Sequence, residues 1–454
     1  FIFLVPANVI LAQEQRPLLL SEAIILGVNN YQSIQAKRNY LNASTALVQD
    51  AKNSYLPNVI ASVQNDYGNI NGQYGPLLGG LGLGSSGPVT SSQNWDAAFG
   101  ALYLVNTNWE FFTFGRVKSR ILLANTTVKK DSADLLQEEF IQSVKISGTY
   151  LNLLAAQKFS QNAEANLQRA LAVQQAVTAR TKSGLNAGVD SSIANAEVSR
   201  AKLALIDAKN NEQQIGNQLA QLLNVTPVTF LLDTTFFAKV PAELNTANPV
   251  EQNPQVKFYQ TRIQESDVAR SYLKKSILPG LSLFGVLQTR GSGFDYDYNA
   301  ANNFKYSTAY WDGIKPVRTN YVAGVFIAWN IVSPFKIKQQ VRAQKFVTDA
   351  YKNEYDQITT QLKDQLFLSD QRITNSLESV QEVPLQYKAA ADAYVQKSVL
   401  YKNGLTDIID LQQALYTLNR AETDMSVAYI NVWQALLLKA AASGDFDLFT
   451  RQVR

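Results

Sequence analysis

Two carboxylates three residues apart, Asp407 and Asp410, are the groups around which any chemistry of this 454-residue chain has to be argued. They follow Asn403-Gly404, which places them in the first turn of a restarting helix and on one of its faces. Two uses fit that placement. Acids at a helix N-terminus satisfy free amides and oppose the helix dipole, and acids facing an aqueous pore draw cations and repel anions. Both readings stand at this level. Catalysis fits less well, because the chain has neither His nor Cys. That removes imidazole bases, thiolate nucleophiles, disulfides and zinc sites of the usual ligand types, and no acid pair lies in an evident cleft. No enzyme, metal site or cofactor is expected.

The elements that hold this pair occur twice. In TKSGLNAGVDSSIANAEVSRA, the residues Gly184, Leu185, Asp190, Ala194, Arg200 and Ala201 stand 220 positions before Gly404, Leu405, Asp410, Ala414, Arg420 and Ala421. Each stretch reads as a hairpin tip between two helices, and the chain reads as a duplication.

A formal net charge of +4 on this length points to no nucleic acid and no acidic partner. Residues 1–12, an apolar run closing on Ala12, read as a signal-peptide remnant. No later run is apolar for long enough to form a transmembrane helix, so any crossing of a membrane falls to strands.

The first repeat spans 13–224. A helical pattern containing Leu20, Ile24 and Val28 breaks near Asn29-Asn30-Tyr31, resumes, and ends at Pro57. Alternation then predicts strands over 57–67 and 97–109, with Val59, Ala61, Val63 and Tyr67, then Phe99, Ala101, Tyr103, Val105 and Trp109, on apolar faces. Trp109, Phe111 and Phe112 form an aromatic cluster of the kind that marks a membrane interface. Between the strands, Gly82-x-Gly84-x-x-Gly87 runs into Pro88 and a Thr/Ser stretch rather than a helix, so a surface loop is expected there and not a dinucleotide site. A long helix is predicted over 116–182, about 100 Å at 1.5 Å per residue, with a seam of Leu136, Phe140, Val144, Leu151 and Leu154. The tip at 183–190 and a return helix follow.

A connection over 225–253 has no clear period, and the second repeat over 254–442 then reproduces the order. Its strands are predicted at 280–290 and 320–332, with Leu281, Leu283 and Leu287, then Tyr321, Ala323, Val325, Ile327 and Trp329, on apolar faces. Its long helix covers 337–402, its tip 403–407, and a tail follows at 443–454. Tyr321 and Trp329 extend the interface aromatics.

Four amphipathic strands cannot close a barrel, and an open edge in lipid leaves backbone groups unpaired at several kcal/mol each. Other copies must complete it. Two copies give an eight-stranded barrel filled by side chains, whereas three give twelve strands and a lumen.

The duplicated order, the segment GLTDIIDLQQALYTLNRA with its first-half counterpart, and the Leu56-Pro57 and Leu278-Pro279 pairs resemble the TolC-type outer-membrane efflux and secretion ducts of Gram-negative bacteria. The resemblance implies an α+β membrane protein, a homotrimer whose twelve-stranded β-barrel continues as a periplasmic α-helical barrel, with 225–253 in an equatorial girdle. It also implies an export duct docked on a periplasmic adaptor (membrane fusion protein) and an inner-membrane pump of RND, ABC or MFS type. A gate at the periplasmic tips is implied at Tyr401, Thr406, Asp407, Asp410 and Gln413. Tyr401 and Asp410 match the family's tyrosine and first ring acid. Gln413 stands where a second acid is usual, Thr406 where an arginine is, and Asp407 offers a partial replacement. In a trimer Asp407 and Asp410 would form an acidic collar. Adaptor docking is expected at Gly184, Leu185, Gly404 and Leu405, whose small or apolar side chains admit another helical hairpin. A passive porin accounts for the strands but not the long helices; a soluble coiled-coil scaffold accounts for the helices but not the apolar strand faces.

Overall fold

The computed structural model describes residues 16–72, 89–184, 187–242, 249–299 and 301–452. The expected signal remnant, the Gly82–Gly87 pattern and Leu185 lie outside them. The described chain forms two units. One comprises residues up to Ser44, Thr127–Glu265 and Thr348 onward; the other comprises Thr45–Thr126 and Ser266–Val347.

The second unit holds an antiparallel sheet in the order β1-β2-β3-β4: β1 (Asn58–Gly68), β2 (Ala98–Phe112), β3 (Gly280–Ser292) and β4 (Arg318–Ala328). Its register aligns the alternating rows. Ala61 faces Val105, which faces Leu287, which faces Tyr321, and Trp109, Leu283 and Val325 form a parallel row on the same side. This apolar side is solvent-exposed, with Val63 at 67% and Ile327 at 68%. The opposite side carries Gln64, Gln288, Arg290 and Asn320, in keeping with a two-residue side-chain period.

Strand ends depart from the sequence pattern for local reasons. β2 runs beyond 109 to Phe112 through a bulge between Trp109 and Phe112, which keeps both rings on the apolar side. β4 stops at Ala328 rather than 332, because the Asn330 side chain accepts the amides of Val332 and Ser333 at 3.1 and 3.2 Å and starts the next helix early.

The two repeats share one anchor in this unit. Trp109 Nε1 donates to the Tyr55 carbonyl at 2.7 Å, and Trp329 Nε1 donates to the Ile277 carbonyl at 2.9 Å. Each acceptor lies two residues before the proline, Pro57 or Pro279, that ends a helix and opens a strand. Each tryptophan therefore fixes a turn while leaving its ring partly exposed.

Helices α1 (Leu20–Asn30) and α2 (Gln32–Asn53) are split at Tyr31, and α3 (Arg116–Lys182), α4 (Gly188–Leu223) and α5 (Pro254–Lys275) follow in their repeat positions. The short α6 (Tyr310–Ile314) lies in the β3–β4 connection. Helix α7 (Ser333–Lys402) passes through Pro384 without ending, and α8 (Ile408–Ser443) and α9 (Phe446–Thr450) close the chain. Gly444, at φ +75°, caps α8.

The first unit is held by a core of Leu20, Ile146, Tyr150, Leu219, Phe236 and Trp433 among others. Gly27 lets α1 approach α3 closely, since a Cβ there would lie 2.3 Å from Ile146. The unpatterned connection is held by side chains rather than by its own period. Tyr150 Oη donates to Leu18 O at 2.7 Å and accepts the Asp233 amide at 3.1 Å, while Trp433 Nε1 donates to Phe236 O at 3.1 Å. Burial pushes the Tyr150 phenol up to about 12, which keeps it neutral in both roles. The expected α3 seam is buried only in part: Leu151 and Leu154 are in the core, but Leu136 is 58% exposed.

Candidate functional site: the two helical tips

Both tips are built on a glycine in the left-handed region. Gly184 and Gly404 each have φ +73°, where an L side chain is strained. At the second tip the Gly404 amide reaches Tyr401 O at 3.0 Å and the Leu405 amide reaches Leu400 O at 2.9 Å, closing α7. Asp407 then caps α8, its Oδ1 accepting the Asp410 amide at 2.9 Å. At the first tip the Gly184 amide reaches Thr181 O at 3.0 Å, and Ala187 precedes α4 with no side-chain cap.

Beneath the tips the two hairpins share a core of Val173 and Val177 from α3, Ala194 from α4, Tyr401 from α7, and Ile408 and Leu411 from α8. Tyr401 is 3% exposed. Arg180, in the last turn of α3, lies across this junction. One guanidinium nitrogen donates to Tyr401 O at 3.2 Å and Lys402 O at 2.9 Å, and the group sits 5.6 Å from the Tyr401 ring centroid. Those carbonyls are among the last four of α7, which have no partner within the helix, and the negative end of the α7 dipole favours the guanidinium there. Arg180 thus clasps one hairpin to the other.

Asp410 is engaged within its own hairpin: Lys397 Nζ pairs with it, and Thr406 Oγ1 donates to it at 2.7 Å. The Lys397 bond, then the Thr406 bond, hold its carboxyl below the ordinary range.

Known proteins share both parts of this architecture. Residues 27–225 match the family described as outer membrane efflux protein. The first repeat is thus similar to that family over most of its length. No curated protein matches the chain in sequence. In structure, it is similar to the outer-membrane channel OprN, with 17% identity, TM-score 0.73, and coverage of 94% of this chain and 90% of that one. It is also similar to the CmeC outer membrane channel of Campylobacter jejuni, with 14% identity, TM-score 0.75 and coverage of 94% and 85%. The outer membrane protein VceC of Vibrio cholerae gives 12%, 0.74, 94% and 96%. The fold of the outer-membrane channels therefore extends over nearly the whole chain.

Within this fold, Tyr401, Thr406, Asp407 and Asp410 are gathered into one tip. Gln413 is exposed one turn along α8, and its neighbour Gln412, not Gln413, points to the other hairpin, with Nε2 at 3.5 Å from Ile193 O. Gly184, Gly404 and Leu405 are exposed at the ends of their hairpins, Leu405 at 73%. Sequence reading missed Arg180 and Lys397. Lys397 was open to inference, because residues 397 and 410 straddle the turn and must face each other across a hairpin. Arg180 was not, because its partners belong to the other repeat and its own repeat counterpart is Leu400.

Proposed function

We propose that the chain is the exit duct of an export assembly in the Gram-negative outer membrane, working as a homotrimer. The observation that carries this reading is the sheet: an exposed apolar face, with β1 and β4 each lacking an outer neighbour among the described residues. In lipid such edges require partner strands, and three copies supply a twelve-stranded barrel with a lumen. The long helices of the same chain would then continue the passage through the periplasm toward an adaptor and an energised inner-membrane pump, so that small molecules or proteins cross without a catalytic step here.

In this reading the tips are the inner gate. Closure rests on Arg180 holding the end of α7 against α3, with the Asp410–Lys397–Thr406 cluster keeping the α7–α8 turn in shape. Threefold repetition places the Asp407 and Asp410 carboxylates in a ring that favours cations. The exposed Leu405 and the open surface at Gly184, where a Cβ would meet nothing within 4 Å, leave room for an adaptor hairpin.

Detergent extraction followed by mass measurement tests the assembly. A detergent-dependent particle of three 50.3 kDa chains is expected, and a water-soluble monomer or dimer would overturn it. Co-purification with an inner-membrane pump then separates a duct from a passive porin.

A further inference from the structure

We infer that α6 sets the outer-leaflet boundary of this protein, seating Trp311 and Tyr310 where lipid acyl chains meet headgroups. The inference rests on the reading of the apolar sheet side as the lipid-facing one.

Helix α6 does not cap the end of the sheet; it folds back onto that apolar side. Tyr103 Oη donates to Ile314 O at 3.0 Å, Asn65 Nδ2 donates to Tyr310 Oη at 3.2 Å, and the Tyr310 ring meets Phe99 edge-on at 5.1 Å. Tyr103 faces Val63, and Phe99 faces Tyr67, so these contacts all fall on the rows that hold Val105 and Trp109. The approach depends on Gly313, where a Cβ would lie 2.4 Å from Phe99 atoms.

Packing is thus supplied by Gly313 and Ile314, both buried, and the large rings are left over. Trp311 is 76% exposed and Tyr310 41%. A tryptophan so placed gains little from water. Amphipathic rings of this kind settle at a membrane interface, with the ring in the apolar layer and the N–H or O–H among headgroups.

The spacing supports the same occupant. Trp109 and Phe99, the strand residue beneath α6, lie ten residues apart on β2. At about 3.3 Å per residue and a tilt of about 45°, that separation gives roughly 23 Å of height, close to the apolar band of about 25 Å expected of an outer-membrane barrel. Trp109 marks one boundary from within the sheet, and α6 marks the other from a loop.

The absence of cysteine makes the test direct. Single variants Trp311→Cys, Val105→Cys and Asn303→Cys, each carrying a nitroxide label, are reconstituted into phosphatidylethanolamine/phosphatidylglycerol vesicles. Access of oxygen and of a water-soluble nickel chelate is read by power saturation. Val105 lies midway between the boundaries and Asn303 is an exposed loop residue. The Trp311 label is expected to lose chelate access relative to Asn303 and to remain less oxygen-rich than Val105. A Trp311 label as open to chelate as Asn303, with Val105 in lipid, overturns the role of α6 alone. A Val105 label in water overturns the lipid-facing sheet itself. A Trp311 label shielded from both reagents means that protein, such as a second copy, covers α6, and overturns the inference.

Discussion

The tips at Gly184 and Gly404 share a turn and differ in how it is finished. Both use a left-handed glycine at φ +73°. The second adds a side-chain cap at Asp407, an acid held by Lys397 and Thr406, and a guanidinium from the other hairpin on its last carbonyls. The first has an uncapped Ala187. Among the described residues, the side-chain cap and the clasp from the other hairpin are both found at the second tip.

The most severe break of this comparison is expected at the glycines. Ala at either position meets left-handed strain of about 1–2 kcal/mol. At Gly404 the new Cβ also comes within 3.2 Å of Arg180 Nη2, whereas at Gly184 it meets nothing. Amide hydrogen exchange should show Gly404→Ala loosening both hairpin ends and Gly184→Ala only its own; equal, purely local effects would remove the asymmetry.

Arg180→Met comes next. Removing a charged donor from two helix-end carbonyls is expected to cost about 1–2 kcal/mol. Spontaneous conductance in planar bilayers should rise, while Lys182→Met, on the exposed side of the same turn, should leave it unchanged.

The caps give a smaller pair with opposite signs. Asp407→Ala should destabilise the start of α8 by about 1 kcal/mol, and Ala187→Asp should stabilise α4 by about 0.5–1 kcal/mol. Exchange protection at the first turn of each helix reads both, and a gain at Ala187 would confirm that the first tip lacks only the side chain.

The smallest effect concerns pH. The Asp410 carboxyl is held below its ordinary value of 3.8, so the stabilisation from its partners is fully present above that pH and is lost as pH falls through the depressed value. Conductance should therefore be insensitive to pH near neutrality and rise only in strong acid. Asp410→Asn should abolish that response and weaken block by multivalent cations; unchanged block would remove the acidic ring from the account.

Several features were legible because they depend on near neighbours. Gly404 and Asp407 announce a turn and a cap by type and spacing, and the repeat offset of 220 carries the first tip with them. The alternating rows of β1 to β4 were readable for the same reason, since side-chain direction follows a period of two. The α3 seam was readable only as a period. A helix shows which residues share a face but not which stretch of that face finds a neighbour, and so Leu151 is buried while Leu136 is exposed.

What the sequence by itself determined is therefore the punctuation: where helices stop, which residues alternate, and that the plan is repeated. What only the tertiary structure decided is what each piece is placed against. Arg180 meets a carbonyl 221 positions away, Trp109 and Trp329 reach carbonyls more than 50 positions back, and α6 lies on a strand more than 200 positions before it. The physical reason is range. Turn chemistry and side-chain period act within a few residues, whereas a clasp between hairpins exists only once their shared apolar core has brought distant helix ends together.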